Sequence, residues 1–245
     1  MKVFLSGLEA SGEFEDINRS IDRYKYILCS YYYLKQDVFE KILQKSELML
    51  IDSGAHSFQK GKKVDWVEYT KQYAEWIKKN DCSKIIGYFE MDVDNIIGYD
   101  NVLELRKILE AASDKIIPVW HKNRGIADFK QMCEKYSGKI IAITGFKNED
   151  IKDKQYIMFL KYAKQHNCKV HCLGMTRKKI LESIPFDFTD SSSWKQQAIY
   201  GRIGNKKVSK EFSKKARSVV MSESLKAAMK MVDHYYKKWQ SVCKD

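Results

Sequence analysis

Short apolar runs alternate along this chain with longer stretches in which apolar positions recur every three or four residues. The runs Val3–Leu5, Tyr26–Ser30, Leu48–Ile51, Ile85–Met91, Ile116–Trp120, Ile140–Thr144, Val170–Leu173 and Phe186–Thr189 are rich in Ile, Val, Tyr and Phe and bounded by polar residues, the pattern of buried strands. Between them, Trp66, Tyr69, Tyr73 and Ile77 keep helical spacing, as do Val102, Leu105, Ile108 and Leu109. Ile126–Tyr136, Tyr156–His166 and Arg177–Ile184 fill the later gaps as helices, and a Lys-rich amphipathic tail at about 209–242 is expected to add one or two more. The two prolines, Pro118 and Pro185, fall at or within strand runs and weaken the pattern there.

Strands alternating with helices imply a parallel sheet. Eight such strands over most of the chain predict a (β/α)8 TIM barrel with a C-terminal helical extension, as one domain over 1–245. An open doubly wound sheet is the second choice. No Gly-x-Gly-x-x-Gly follows the first strand and no Gly-x-x-x-x-Gly-Lys occurs, which disfavours a nucleotide-binding sheet.

With 245 residues, 44% hydrophobic and 13% aromatic, the chain can build a full core. It has no apolar stretch near the roughly 20 residues of a membrane helix. Met1–Leu8 has the pattern of a first strand rather than of a signal peptide, so a cytoplasmic protein without membrane contact is expected. The six cysteines lie mostly in apolar segments, as reduced core thiols do. His166, Cys168, His171 and Cys172 are ligand types for zinc. Strand alternation would nevertheless turn Cys168 and Cys172 one way and His171 the other, and no Cys-x-x-Cys pair is present.

The formal net charge is +12, with the excess late, in Lys195–Arg202, Lys206-Lys207, Lys210, Lys214-Lys215 and Arg217. This fits a polyanionic partner, nucleic acid above all; a solvated Lys-rich helix face would give the same count.

A barrel carries its chemistry at the C-terminal ends of its strands. Those positions hold Asp52-Ser53, Glu90 with Asp92 and Asp94, His121, Gly145-Phe146, Gly174-Met175 and Asp190-Ser191. Alternation puts Asp92 on one strand face with Glu90 and Tyr88, and His121 on one with Val119 and Ile117, so three carboxylates and a histidine are expected to converge on one mouth. A nucleophilic carboxylate beside an acid/base carboxylate suits chemistry at an anomeric carbon. Helix capping is the competing explanation for Asp190 and its serines, and the preferred one for Asp94, Asp100 and Asp187. A divalent-metal TIM-barrel hydrolase built on Asp52, His121, His171 and Asp190 is a second reading, without the His-x-His pair that many such barrels carry on the first strand.

Five segments in order then resemble one family. Ile51-Asp52-Ser53-Gly54-Ala55 resembles the Asp-Ser-Gly-Gly segment of tRNA-guanine transglycosylases. Phe89-Glu90-Met91-Asp92 is similar to their acidic base-recognition strand end, and Thr144-Gly145-Phe146 stands where their glycine-rich base pocket would fall. His171-Cys172-Leu173-Gly174-Met175 is similar to their Gly-x-Gly segment, and Thr189-Asp190-Ser191-Ser192-Ser193-Trp194 resembles the stretch with the nucleophilic aspartate. The chain departs from the family in four ways. The Cys-x-Cys-x-x-Cys zinc region is missing, Cys243 being the only cysteine after Trp194; Ala55 replaces the second glycine; His56 replaces the aromatic after the glycine pair; and the chain is short. It therefore resembles most the short, zinc-free, phage-type branch that exchanges guanine in DNA for a 7-deazaguanine such as 7-cyano-7-deazaguanine.

The resemblance implies Asp190 as the nucleophile forming a covalent aspartyl-glycosyl intermediate, with Asp187 as its rival, and Asp52 as the acid/base. It implies Asp92 as acceptor for the guanine edge, Gly145 and Gly174 as openings for the base, and Ser53, Gly54, Phe146 and Met175 as further pocket residues. His121 joins them from its strand-end position as a base or phosphate contact. Lys195, Arg202, Lys206 and Lys207 are the backbone-binding candidates. No cofactor or metal is expected. DNA is the expected partner and tRNA the alternative. The phage-type branch would place the protein in the host cytoplasm, as a monomer or as a homodimer not built through the missing zinc region.

Overall fold

Every strand expected from the apolar runs forms, and all pair in parallel. In the computed structural model they are β1 (Lys2–Ser6), β2 (Tyr24–Ser30), β3 (Ser46–Asp52), β4 (Ile85–Phe89), β5 (Ile116–Ile117), β6 (Val119–Trp120), β7 (Ile140–Thr144), β8 (Lys169–Leu173) and β9 (Phe188–Ser191). Their order is β5-β4-β3-β2-β1-β9-β8-β7-β6. The two ends of that order, β5 and β6, are halves of one apolar run separated only by Pro118, so the sheet meets itself there and the barrel has eight wall positions. The interruption has a simple cause: proline has no N–H for the ladder. Its carbonyl still accepts a bond from the Ala142 N–H at 2.9 Å. The structure describes residues 1–58, 64–144, 151–204, 206–209, 211–212 and 216–243.

Differences from the expected limits at two strands bear on the site. β4 stops at Phe89; the Glu90 N–H still donates to the Ile117 carbonyl at 3.1 Å, but Met91 and Asp92 lie past the strand and alternation does not govern them. The last strand begins at Phe188, past Pro185, and runs on to Ser191, which puts Asp190 within the strand, opposite Phe4 of β1.

Ten α-helices are described: α1 (Phe14–Ser20), α2 (Gln36–Lys45), α3 (Trp66–Asn80), α4 (Asp94–Ile97), α5 (Tyr99–Glu110), α6 (Gly125–Lys135), α7 (Tyr156–Gln165), α8 (Lys178–Ser183), α9 (Ser193–Ile199) and α10 (Arg217–Trp239). The periodic helices bury the stripe their sequence predicts: α3 buries Thr70, Tyr73, Ala74 and Ile77, and the Asp65 side chain caps it by accepting from the Glu68 N–H at 3.0 Å. The helices α1 and α2 were not expected; few apolar residues, Phe39 and Ile42 in α2, anchor each.

The tail forms one described helix, α10, that locks the ends of the chain together. It packs on α9, β1 and α1. The Ser224 hydroxyl donates to the Trp194 carbonyl at 2.7 Å, and the Trp194 indole N–H donates to the Ser6 carbonyl at 2.9 Å. No described helix is long and apolar enough to cross a membrane.

Candidate active site

The C-terminal ends of the strands open into a cavity of about 980 Å³, and four carboxylates from four different wall positions line it: Glu9, Asp52, Asp92 and Asp190. Each is held by its local chain. Asp52 ends β3, directly across from Ser30 on β2. Its Oδ2 accepts the Gly54 N–H at 2.9 Å, which needs Gly54 at φ +75; a Cβ there would lie 2.4 Å from the Tyr32 Cβ. Burial pushes the Asp52 carboxyl up to about 7, against that amide bond and with the help of Asp92, Asp190 and Glu9.

Asp190 is gripped differently. Its Oδ1 takes the Gly174 N–H at 2.8 Å and faces His171 Nε2 at 3.0 Å. Gly174, at φ +61, turns its amide back onto that carboxylate just beyond the end of β8. His171 is wholly buried beside the rings of Phe4, Phe89 and Phe188. A carboxylate opposite Nε2 assigns the imidazole proton to that nitrogen, and Nδ1 is left buried without a partner. Two donors on one oxygen hold the carboxylate in place. Helix capping does not account for Asp190, because Ser192 occupies the N-cap of α9.

Across the mouth, Asp92 Oδ1 lies 2.6 Å from His121 Nε2. Burial alone would lower the His121 pKa, but the bond and charge of Asp92, with Asp94 behind it, raise it. Glu9, three residues past the end of β1, is the carboxylate the sequence reading missed. Its Oε1 accepts the Ser30 N–H at 3.0 Å while Oε2 is buried without a partner, and burial raises its pKa despite that bond. An acidic residue shortly after the first apolar run was the available signal.

Several expected site residues are elsewhere. Glu90 does not share the mouth with Asp92. It turns into the wall, where Arg106 of α5 grips both its oxygens and the Val119 N–H donates to it beside the Pro118 break. Ser53 is fully buried and donates to the Glu90 carbonyl at 2.9 Å, and Gly54 is closed against Tyr32 and Ser30. Met175 is a core residue whose carbonyl accepts from the Thr189 hydroxyl at 3.1 Å. Asp187 lies at the opposite end of the barrel, where it accepts the Val170 N–H at 2.8 Å. Gly145 and Phe146 lie outside the described residues.

The histidines of the metal-hydrolase set are divided, His121 against Asp92 and His171 against Asp190, so Asp52, His121, His171 and Asp190 form no common ligand group. Cys168 directs its thiol to the carbonyls of Cys133 and Tyr136, away from His171.

Of the basic candidates, Lys195 lines the mouth but is committed, donating to the Gly7 and Ala10 carbonyls at 3.1 and 2.8 Å. Arg202 and Lys207 are paired across the short antiparallel ribbon formed by β10 (Arg202–Ile203) and β11 (Lys206–Lys207). They line a second groove of about 760 Å³ with Gln197 and the 73% exposed Tyr200. Gly174, Asp190, Ser192 and Gln196 border both the groove and the mouth, so the two are continuous at the candidate nucleophile. Lys206 is exposed beside it. Neither a scan against protein-family models nor a search of curated proteins finds a match to the chain.

Proposed function

We propose that this protein is a base-exchange transglycosylase that replaces guanine in DNA with a 7-deazaguanine base through Asp190. The observation that carries this reading is the contrast between two carboxylates on one cavity: Asp190 holds two hydrogen-bond donors, whereas Asp52 is pushed up to about 7. Two carboxyl groups with such different surroundings can divide the work of nucleophile and proton carrier.

In the first half-reaction an Asp190 oxygen bonds to the anomeric carbon as the bond from that carbon to the guanine nitrogen breaks. The bonding pair leaves with the base, and the Asp52 carboxyl gives it a proton. In the second, the incoming 7-deazaguanine returns a proton to Asp52, its ring nitrogen attacks the same carbon, and the Asp190 carboxylate departs. Asp92 accepts hydrogen bonds from the base edge, and Gly174 gives the base a face without a side chain. A base within a duplex cannot reach a barrel mouth, so it enters flipped out or single-stranded. The groove with Arg202, Lys207 and exposed Tyr200 supplies charge for the backbone and a ring for a neighbouring base.

The test is base exchange. The protein is incubated with guanine-containing DNA or with tRNA and 7-cyano-7-deazaguanine, and the products are digested to nucleosides for mass spectrometry. Modified deoxyguanosine positions are expected from the wild type, with a loss of about 10⁴-fold in Asp190→Asn, a size typical of removing a nucleophile. Exchange in tRNA alone would keep the mechanism and replace the substrate; exchange in neither would overturn the reading.

A further inference from the structure

We infer that Asp92, Asp94 and His121 form a binding site for a divalent first-row metal ion on the wall of the mouth. One ligand atom from each of the three lies within 4.8 Å of the other two. The observation that singles this group out is Asp94. Its side chain is only 5% exposed, and neither of its oxygens has a hydrogen-bond partner. Asp94 is the first residue of α4, a single turn that follows the end of β4, and its carboxylate faces His121 Nε2 at 4.0 Å rather than capping a helix amide.

A buried carboxylate without donors is costly unless it takes up a proton or a cation. The neighbouring guanidinium of Arg124 does not fill that role. Its Nη2 donates to the Val119 carbonyl, its Nε lies 3.3 Å from Asp128 Oδ2, and the group stacks over the Tyr99 ring at 4.1 Å. A divalent ion between the three side chains would neutralise both carboxylates.

The spacing suits such an ion with little movement. Metal–ligand bonds of about 2.1 Å put adjacent ligand atoms about 3 Å apart and opposite ones about 4.2 Å apart. The present separations from His121 Nε2 are 2.6 Å to Asp92 and 4.0 Å to Asp94. Two carboxylate oxygens and one imidazole favour Mn²⁺, Fe²⁺ or Zn²⁺ over Mg²⁺ or Ca²⁺, which prefer all-oxygen surroundings. Asp92 and His121 line the mouth, so the open coordination positions of the ion would face the cavity. With one Asp92 oxygen on the ion, the other is free to meet a base edge.

The test uses the full chain, stripped with a chelator and titrated with Mn²⁺, free ion being read by electron paramagnetic resonance. Zn²⁺ is then followed by competition with a chromophoric chelator. One equivalent bound by the wild type is expected, with affinity about 100-fold lower in Asp94→Asn and in His121→Gln, on the scale by which metal-site changes weaken binding. An absence of stoichiometric binding in the wild type, or binding that both substitutions leave intact, overturns the site. If Asp94→Asn does not fold, the rise in wild-type Tm with Mn²⁺ and its loss in His121→Gln decide the matter. Neither readout involves nucleic acid, so a failed exchange assay leaves this inference standing and the reverse also holds.

Discussion

The wall and the mouth of this barrel bury carboxylates in opposite ways. In the wall, Glu90 has a guanidinium across both oxygens and the Val119 amide besides, and Arg106 in turn has Tyr99 and Tyr136 hydroxyls at 3.4 Å. In the mouth, Glu9, Asp52, Asp92 and Asp190 share two histidines and a few backbone amides, and Glu9 and Asp94 keep oxygens with no partner. Glu90 and Asp92 are two residues apart, yet one belongs to each region. A fully paired group fixes a structure, while at Asp52 the neighbouring carboxylates Asp92, Asp190 and Glu9 add to the burial that raises its pKa, at a cost to the fold that holds it. The difference therefore marks the wall as architecture and the mouth as the place for the chemistry proposed above.

The sharpest way to break this contrast is to make the wall resemble the mouth. Arg106→Ala takes the cation from the buried Glu90 and leaves it only the Val119 amide at the Pro118 break, and a loss of about 3–5 kcal/mol is expected in urea denaturation. The double change Glu90→Gln with Arg106→Met should recover most of it, because no isolated charge then remains. If the single change costs under 1 kcal/mol, the paired wall carboxylate does not hold the structure as the contrast requires.

This asymmetry also explains what could be read in the sequence. Strand positions were legible because buried parallel strands are continuous apolar runs, and even the Pro118 interruption falls where the residue type demands. Asp52, Asp92, His121, Gly174 and Asp190 were legible as residues at strand ends, and all five line the one cavity. The role of Glu90 was not, because its partner Arg106 sits in a helical stripe that otherwise holds Val102, Leu105 and Leu109. Ser53 and Met175 were misplaced for a related reason: a segment beside a site residue also contains the packing that supports it. His171 interleaves with core residues on β8, and only the fold brings it to Asp190.

Relieving the mouth should stabilise the protein. The Asp52 carboxyl has a folded-state pKa of about 7 against an ordinary value of 3.8. As pH rises from about 4, the unfolded chain releases this proton while the folded protein still holds it, so stability falls until about pH 7 and then levels off. Asp52→Asn has no such titration and can still accept the Gly54 N–H. It is expected to be more stable than wild type by about 1–3 kcal/mol at pH 8, allowing for solvent at the open mouth, with the gap closing below about pH 4. Activity should fall in the same variant, a trade typical of groups kept for function. Equal stabilities at pH 8 would show that the mouth carries no such electrostatic tension.

The smallest effect expected is at Asp187, and it separates the two candidate nucleophiles. Asp187 lies three residues before Asp190, which along an extended chain is about 10 Å and the opposite face. Its Oδ2 accepts the Val170 N–H at 2.8 Å, and its backbone carbonyl takes the Lys2 N–H at 2.8 Å, so both groups serve the base of the barrel. In Asp187→Asn the amide oxygen still accepts from Val170, which limits the change in stability to about 1 kcal/mol. Base exchange should be unchanged, in contrast to the loss in Asp190→Asn. Loss of exchange in Asp187→Asn with the fold intact would move the nucleophile to the base of the barrel and leave the crowding at the mouth without the role assigned to it.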